Sequence, residues 1–175
     1  VVSYVLDNAD TDTQALDADQ RVSDTFTVAV IDNLGATASV DASFSIIGAN
    51  DAPSIVAAAQ VGTITEEGFA INGGIEAAVG NGAASITLTA SDVDGTTPTY
   101  DLNWMTAFGW STANSGVTYT KVGTYGTATL TTATGVVAYA LNNADADTQA
   151  LAAGAQVTET FRIATGDGAL MRGVD

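Results

Sequence analysis

Residues 1 to 33 return, at an offset of 135, as residues 136 to 168: VVSYVLDNADTDTQALDADQRVSDTFTVAVIDN against VVAYALNNADADTQALAAGAQVTETFRIATGDG. Eighteen of the 33 positions are identical, where random pairing of segments this rich in Ala, Thr and Asp gives about three. Self-similarity at a fixed period restricts a chain to units that stack or follow one another, so the 175 residues read as a window on a tandem array. The first four residues, Val1-Val2-Ser3-Tyr4, read as an internal cut rather than a leader. Residues 1–51 are then the last strands of one unit, and residues 52–175 are the next unit without its final strand. The linker falls at 48–54, where Asn50-Asp51-Ala52-Pro53 follows the alternating run Ser39 to Ile47 and proline ends ladder pairing.

The pattern within a unit is β throughout. Short stretches rich in Val, Thr, Ile, Tyr and Phe, separated by Gly, Asn and Asp, predict strands at 1–6, 22–31, 37–47, 60–65, 84–90, 98–104, 116–122, 125–131, 135–141 and 156–165. No helix longer than a turn is expected. The fold class is all-β, a β-sandwich with Tyr4, Leu6, Phe26, Tyr139, Leu141 and Phe161 alternating into its core. Two Gly-, Ala- and Ser-rich inserts, 72–83 and 105–115, read as surface loops.

Charge narrows the chemistry. Twenty acidic residues against four basic ones, Arg21, Lys121, Arg162 and Arg172, give a formal net charge of −16. Such a surface repels phosphates and anionic headgroups, so nucleic acid and membrane insertion are excluded as partners. With no Cys and no His, thiolate and imidazole chemistry, structural zinc and disulfides are absent. Hydrophobic residues make up 46% of the chain, enough for a core, so the acidity does not signal a disordered tail. What remains is a surplus of hard oxygen ligands, which select Ca2+ or Mg2+.

In a seven-strand sandwich the loops sort to two poles. Glu66 and Glu67 fall at one, with Asp145 and Asp147 and their upstream counterparts Asp10 and Asp12. Asp92 and Asp94 of the D-x-D-G turn fall at the other with Asp167. In tandem, the bottom of one unit faces the top of the next, so the junction in this chain brings Asp10 and Asp12, the linker residues Asn50 and Asp51, and Asp92, Asp94 and Asp167 toward one place. Six to eight oxygens satisfy Ca2+, and glycine after the acidic pair permits the tight turn. The competing reading is plain: Asp92 and Asp94 as a polar turn with Asx hydrogen bonds, Glu66-Glu67 and the Asp10 and Asp145 pairs as solvated loops, and Asp167 as a hairpin turn.

Four motifs in order, GANDAP at 48–53, GTYGTATL at 123–130, VVAYALNN at 136–143 and QALAAGAQVTETF at 149–161, resemble the VCBS repeat, a cadherin-like module of large secreted bacterial adhesins. The resemblance covers residues 1–54 and 60–168. It implies Ig-like, cadherin-like sandwiches in long arrays, type I secretion to the cell surface, Ca2+ at linkers, and a role in attachment and biofilm. By match of motif the ligands implied are Asn50, Asp51, Asp92 and Asp94, with Glu66 or Glu67 at the acidic position after the first strand. The ending ATGDGALMRGVD departs from the family's DGxGG-type hairpin, which puts Asp167 in doubt and leaves the second unit without its last strand.

A structural, calcium-stiffened stalk is therefore the leading expectation, with neighbouring units of the same chain as partners and no catalysis. A carboxylate pair would serve a glycosidase only in a cleft, and none is evident here. Two alternatives stay open. Trp104, Phe108 and Trp110 offer aromatic faces for a glycan or protein partner, although a core tryptophan with loop anchoring explains them too. Residues 37–47 offer a strand that would complete the sandwich of a second chain in a self-assembling fibre. A covalent crosslink at Lys121 rests on one lysine on one strand.

Overall fold

The computed structural model describes residues 1–67, 80–95 and 97–174. Among the described residues there are three antiparallel sheets. Strands β1 (Arg21–Ile31) and β2 (Thr37–Ile47) form one hairpin, in register from Arg21 opposite Ile47 to Ile31 opposite Thr37. Strands β3 (Ser54–Ala57), β4 (Ala83–Ser91), β5 (Thr118–Val122), β6 (Gly126–Thr131) and β7 (Val136–Leu141) form a five-stranded sheet in the order β3-β4-β7-β6-β5. A last hairpin joins β8 (Ile163–Gly166) to β9 (Met171–Val174). The all-β expectation holds, and among the described residues every strand pairing is antiparallel.

Strand β6 shows why this sequence makes a sheet. Gly126, Ala128 and Leu130 alternate inward while Thr127, Thr129 and Thr131 are half-buried, the period of two that a one-sided strand requires. The core gathers Leu88, Met105, Trp110, Tyr119, Ala128, Leu130, Val137 and Ile163, with Tyr139 and Phe161 packed against it. Burying aromatic and aliphatic side chains of this size stabilises by about 1.5–3 kcal/mol each.

Several sequence expectations need correction. Residues 98–104 are not a strand: only Thr99 bridges, to Gly166, and helix α2 (Leu102–Ala107) takes over. Asp101 caps it by accepting from the Trp104 N–H at 3.0 Å, and the Leu, Met and Ala that follow are strong helix formers. The supposed surface loop at 105–115 consequently supplies the core with Met105 and Trp110. The run 60–65 makes only the isolated bridges Val61 to Ser85 and Thr65 to Asn81, because Gly62 turns the backbone at φ +93°. Its place beside β4 is taken by β3, directly after the expected linker, where Pro53 is buried. Strand β9 shows that a strand does follow Asp167, although it pairs over only four residues. Residues 72–79 of the other expected loop lie outside the described residues.

The duplicated segments adopt the same local structure at their turns. Helix α1 (Thr11–Gln14) and helix α3 (Ala146–Gln149) are single turns at equivalent positions. Asp10 and Asp145 cap them through the N–H groups of Asp12 and Asp147, each at 2.9 Å. The Gln14 and Gln149 amides both reach back to a carbonyl six residues earlier, those of Asn8 and Asn143. The strand portions differ: 136–141 is β7, whereas 1–6 forms no strand. Among the described residues no helix is long and apolar enough to cross a membrane.

Candidate metal centre

Antiparallel pairing of β3 with β4 places Ser54 opposite Ser91. The residues entering β3, Asn50 to Pro53, must therefore run beside those leaving β4, Asp92 to Gly95. The Asp51 N–H donates to Asp94 Oδ2 at 3.0 Å, across 43 residues of sequence. The third segment is the β8–β9 turn, held near by reciprocal 2.8 Å hydrogen bonds between Thr99 and Gly166. Its Asp167 accepts from the Asn50 side-chain amide at 2.9 Å, and the same amide donates to the Asp51 carbonyl at 2.8 Å.

Asn50, Asp51, Asp92, Asp94 and Asp167 thus meet, whereas Asp10 and Asp12, expected at the same junction, belong to the capped turn of α1. Asp94 is only 6% exposed. Both oxygens of Asp92 and Oδ1 of Asp94 are shielded from solvent and have no well-formed hydrogen-bond donor. Two ionised carboxylates have no proton to share, so a contact between Asp92 and Asp94 satisfies neither of them. Burial pushes the Asp92 carboxyl above the usual carboxylate range; the neighbouring Asp94 and the negative charge of Asp167 push it the same way, against a smaller pull downward from the Val93 N–H. Asp167 goes the other way. The N–H of Leu170, the Asn50 amide and the N–H of Ala169 stabilise its charge and lower its pKa.

An orphaned buried carboxylate oxygen costs several kcal/mol by order of magnitude unless something positive meets it. The donor set here is all oxygen, which fits a hard cation and not zinc or copper. Among the described residues no three carboxylates converge as a ready-made cage. The oxygens left without partners are those of a pair, Asp92 and Asp94, with Asp167 engaged by Asn50 at its edge.

The other residues singled out in the sequence do different work. Asp10 and Asp145 are helix caps, and Asp12 and Asp147 lie in the first turns they cap. Asp10 and Asp12 line a cavity with Tyr4, Leu16 and Asp24. Glu66 and Glu67 do come to the pole of the α3 turn, where the Glu67 N–H donates to Asn143 Oδ1 at 3.2 Å. Trp110 is buried in the core, and its indole N–H donates to the Arg162 carbonyl at 2.7 Å, so its faces are closed to a ligand. Trp104 is exposed and leans on Phe108, whose ring carries the Arg162 guanidinium at 5.0 Å. The Lys121 ammonium donates to the Phe108 carbonyl at 2.7 Å.

One network escaped the sequence reading. Glu159 accepts from the Tyr139 hydroxyl and from the N–H groups of Thr124 and Tyr125, tying β7 to the β5–β6 turn. Its counterpart is Asp24, which accepts from the Tyr4 hydroxyl at 2.5 Å. A tyrosine followed twenty residues later by an acid in both copies is the signal that would have found it.

No protein-family model matches the chain, and no curated protein and no solved structure matches it.

Proposed function

We propose that this chain is a calcium-stiffened strut: Ig-like, cadherin-like sandwich units in tandem, of the VCBS kind, from the stalk of a secreted bacterial surface adhesin. The observation that carries the reading is the set of three orphaned oxygens on Asp92 and Asp94 beside the linker residues Asn50 and Asp51. Asp92 and Asp94 would hold the ion directly, with Asn50, Asp51 and Asp167 completing the oxygen surround. A bound divalent cation replaces carboxylate repulsion with bonds between the linker, the β4 turn and the β8–β9 turn, so a hinge becomes rigid. The role is mechanical and involves no catalysis. Extracellular calcium modules have Kd values of about 10⁻⁴ to 10⁻³ M, so millimolar external calcium is the matching signal. The experiment is a thermal melt in EDTA, in CaCl2 and in MgCl2. A calcium-specific rise in Tm supports the strut; superimposable melts overturn it.

A further inference from the structure

Asn81 and Gly82 form the entrance to β4. Asn81 is exposed, and its main-chain carbonyl accepts from the Thr65 N–H at 2.9 Å, which lays residues 65–67 along this entrance. The approach is close: a Cβ added at Gly80 would stand 2.6 Å from the Thr65 carbonyl oxygen and 2.7 Å from the Glu67 nitrogen. The Asn81 side chain folds back along its own chain, where Oδ1 accepts a long hydrogen bond from the Ala83 N–H at 3.4 Å. An Asx arrangement of this kind carries the side-chain amide carbon over the next peptide, beside the Gly82 nitrogen. Gly82 has no Cβ to screen that nitrogen. Among the described residues Asn81 is also the one asparagine that precedes a glycine; Asn72-Gly73 lies outside them. Other side-chain amides are held elsewhere, that of Asn50 by the Asp51 carbonyl and Asp167, and that of Asn114 by Thr118 Oγ1.

We propose that Asn81 is a site of spontaneous deamidation in the folded chain. The Gly82 nitrogen, on losing its proton to hydroxide, attacks Asn81 Cγ, and the Ala83 N–H steadies the oxyanion that forms on Oδ1. The bond from Cγ to the amide nitrogen then breaks, ammonia leaves with a proton taken from water, and a succinimide ring remains. One water opens the ring. Opening at Cγ gives aspartate; opening at the main-chain carbonyl gives isoaspartate, whose chain runs on through Cβ and Cγ. Either product sets a new carboxylate close to Glu66 and Glu67, in a chain whose net charge is already −16. Isoaspartate does more, because the carbonyl that holds the Thr65 N–H leaves the main chain and becomes the free carboxylate. The bridge from Thr65 to Asn81, and the bond from the Glu67 N–H to Asn143 beyond it, should then loosen. The modification is independent of the metal site.

The full chain is incubated for weeks in neutral and in mildly alkaline buffer, folded and in urea, beside the Gly82→Ala variant. That variant should fold, because the added Cβ would meet nothing nearer than Leu141 Cβ at 3.9 Å. Its thermal melt is compared with the parent's to show it. Cleavage after Glu67 and Glu76 places Asn72 and Asn81 on different peptides, whose fragment masses locate each conversion and separate aspartate from isoaspartate. In the folded parent, Asn81 should convert to both products, faster at the higher pH, and the converted fraction should melt at a lower temperature. Gly82→Ala should keep its amide over the same period. The proposal is overturned if Asn81 stays an amide in the folded chain, whether or not it converts in urea. It is equally overturned if Gly82→Ala, melting as the parent does, converts as fast as the parent.

Discussion

The side-chain amide of Asn50 donates to Asp167 Oδ2 at 2.9 Å, joining residues 117 apart in sequence. Through this bond the segment before β3 is tied to the turn between β8 and β9, and both stand against the Asp92–Asp94 turn. Three chain segments therefore meet where three carboxylate oxygens lack partners. What supplies the missing positive charge sets how the fold responds to metal and to pH.

Replacing Asp92 and Asp94 together by Asn should have opposite effects with and without metal. In EDTA the double variant should be more stable than the parent, because two buried, mutually repelling charges are gone while the amide oxygen introduced at position 94 still accepts from the Asp51 N–H. In calcium the order should reverse. For the parent, an ion at about 100 times its Kd adds roughly 2.7 kcal/mol if it binds only the folded state, and the variant forfeits that gain. Urea unfolding midpoints in the two buffers check both signs.

The pH dependence follows from the raised Asp92 pKa. A carboxyl whose folded pKa lies above its unfolded value binds its proton more tightly when folded, so its stabilising contribution is full below the unfolded value of about 4 and is lost as pH rises through the folded one. Without metal, lowering the pH from neutral toward that window should therefore increase this group's contribution to stability. Asp167, with its lowered pKa, works in the opposite direction, and its contribution falls as pH drops through its folded value. The Asp167→Asn variant in EDTA removes the opposing contribution of Asp167 and also one of the charges that raise the Asp92 pKa, so its unfolding midpoint should still rise on mild acidification, through the burial of Asp92 and the neighbouring Asp94.

How far the sequence foretold this arrangement can be argued residue by residue. The pole at which Asp92, Asp94 and Asp167 meet was legible, because hairpin turns and D-x-D-G are local signals and antiparallel order carries them to one end. The α2 segment was not, since a β-compatible run from 98 to 104 hides an Asp101 cap whose effect depends on the helix formers after it. Whether 1–6 is a strand was not legible at all. Its sequence nearly equals that of β7, and only the presence of β4 and β6 as neighbours makes one a strand and the other not.

The tryptophans should separate core from surface. Trp110→Ala removes a fully buried side chain and the hydrogen bond to the Arg162 carbonyl, and should cost about 3–5 kcal/mol. Trp104→Ala removes an exposed ring and should stay within about 0.5 kcal/mol. Chemical denaturation of the two variants gives the comparison, and equal losses would contradict the burial difference.

The last prediction uses the duplication as its own control. Tyr139→Phe leaves Glu159 with only the Thr124 and Tyr125 N–H groups and should cost about 1–3 kcal/mol, as expected when a charged hydrogen bond in a part-buried setting is lost. Tyr4→Phe removes the equivalent bond to Asp24 in an exposed setting and should change stability little. The Tyr139 pKa is raised well above the tyrosine range, by burial first and then by the Glu159 hydrogen bond and charge. Its stabilising contribution is therefore complete below about pH 10, the ordinary tyrosine value, and declines above it as the unfolded chain ionises. Unfolding midpoints measured from about pH 8 to about pH 11 should fall more steeply for the parent than for Tyr139→Phe. A parallel fall would mean that Glu159 does not bind the hydroxyl in solution.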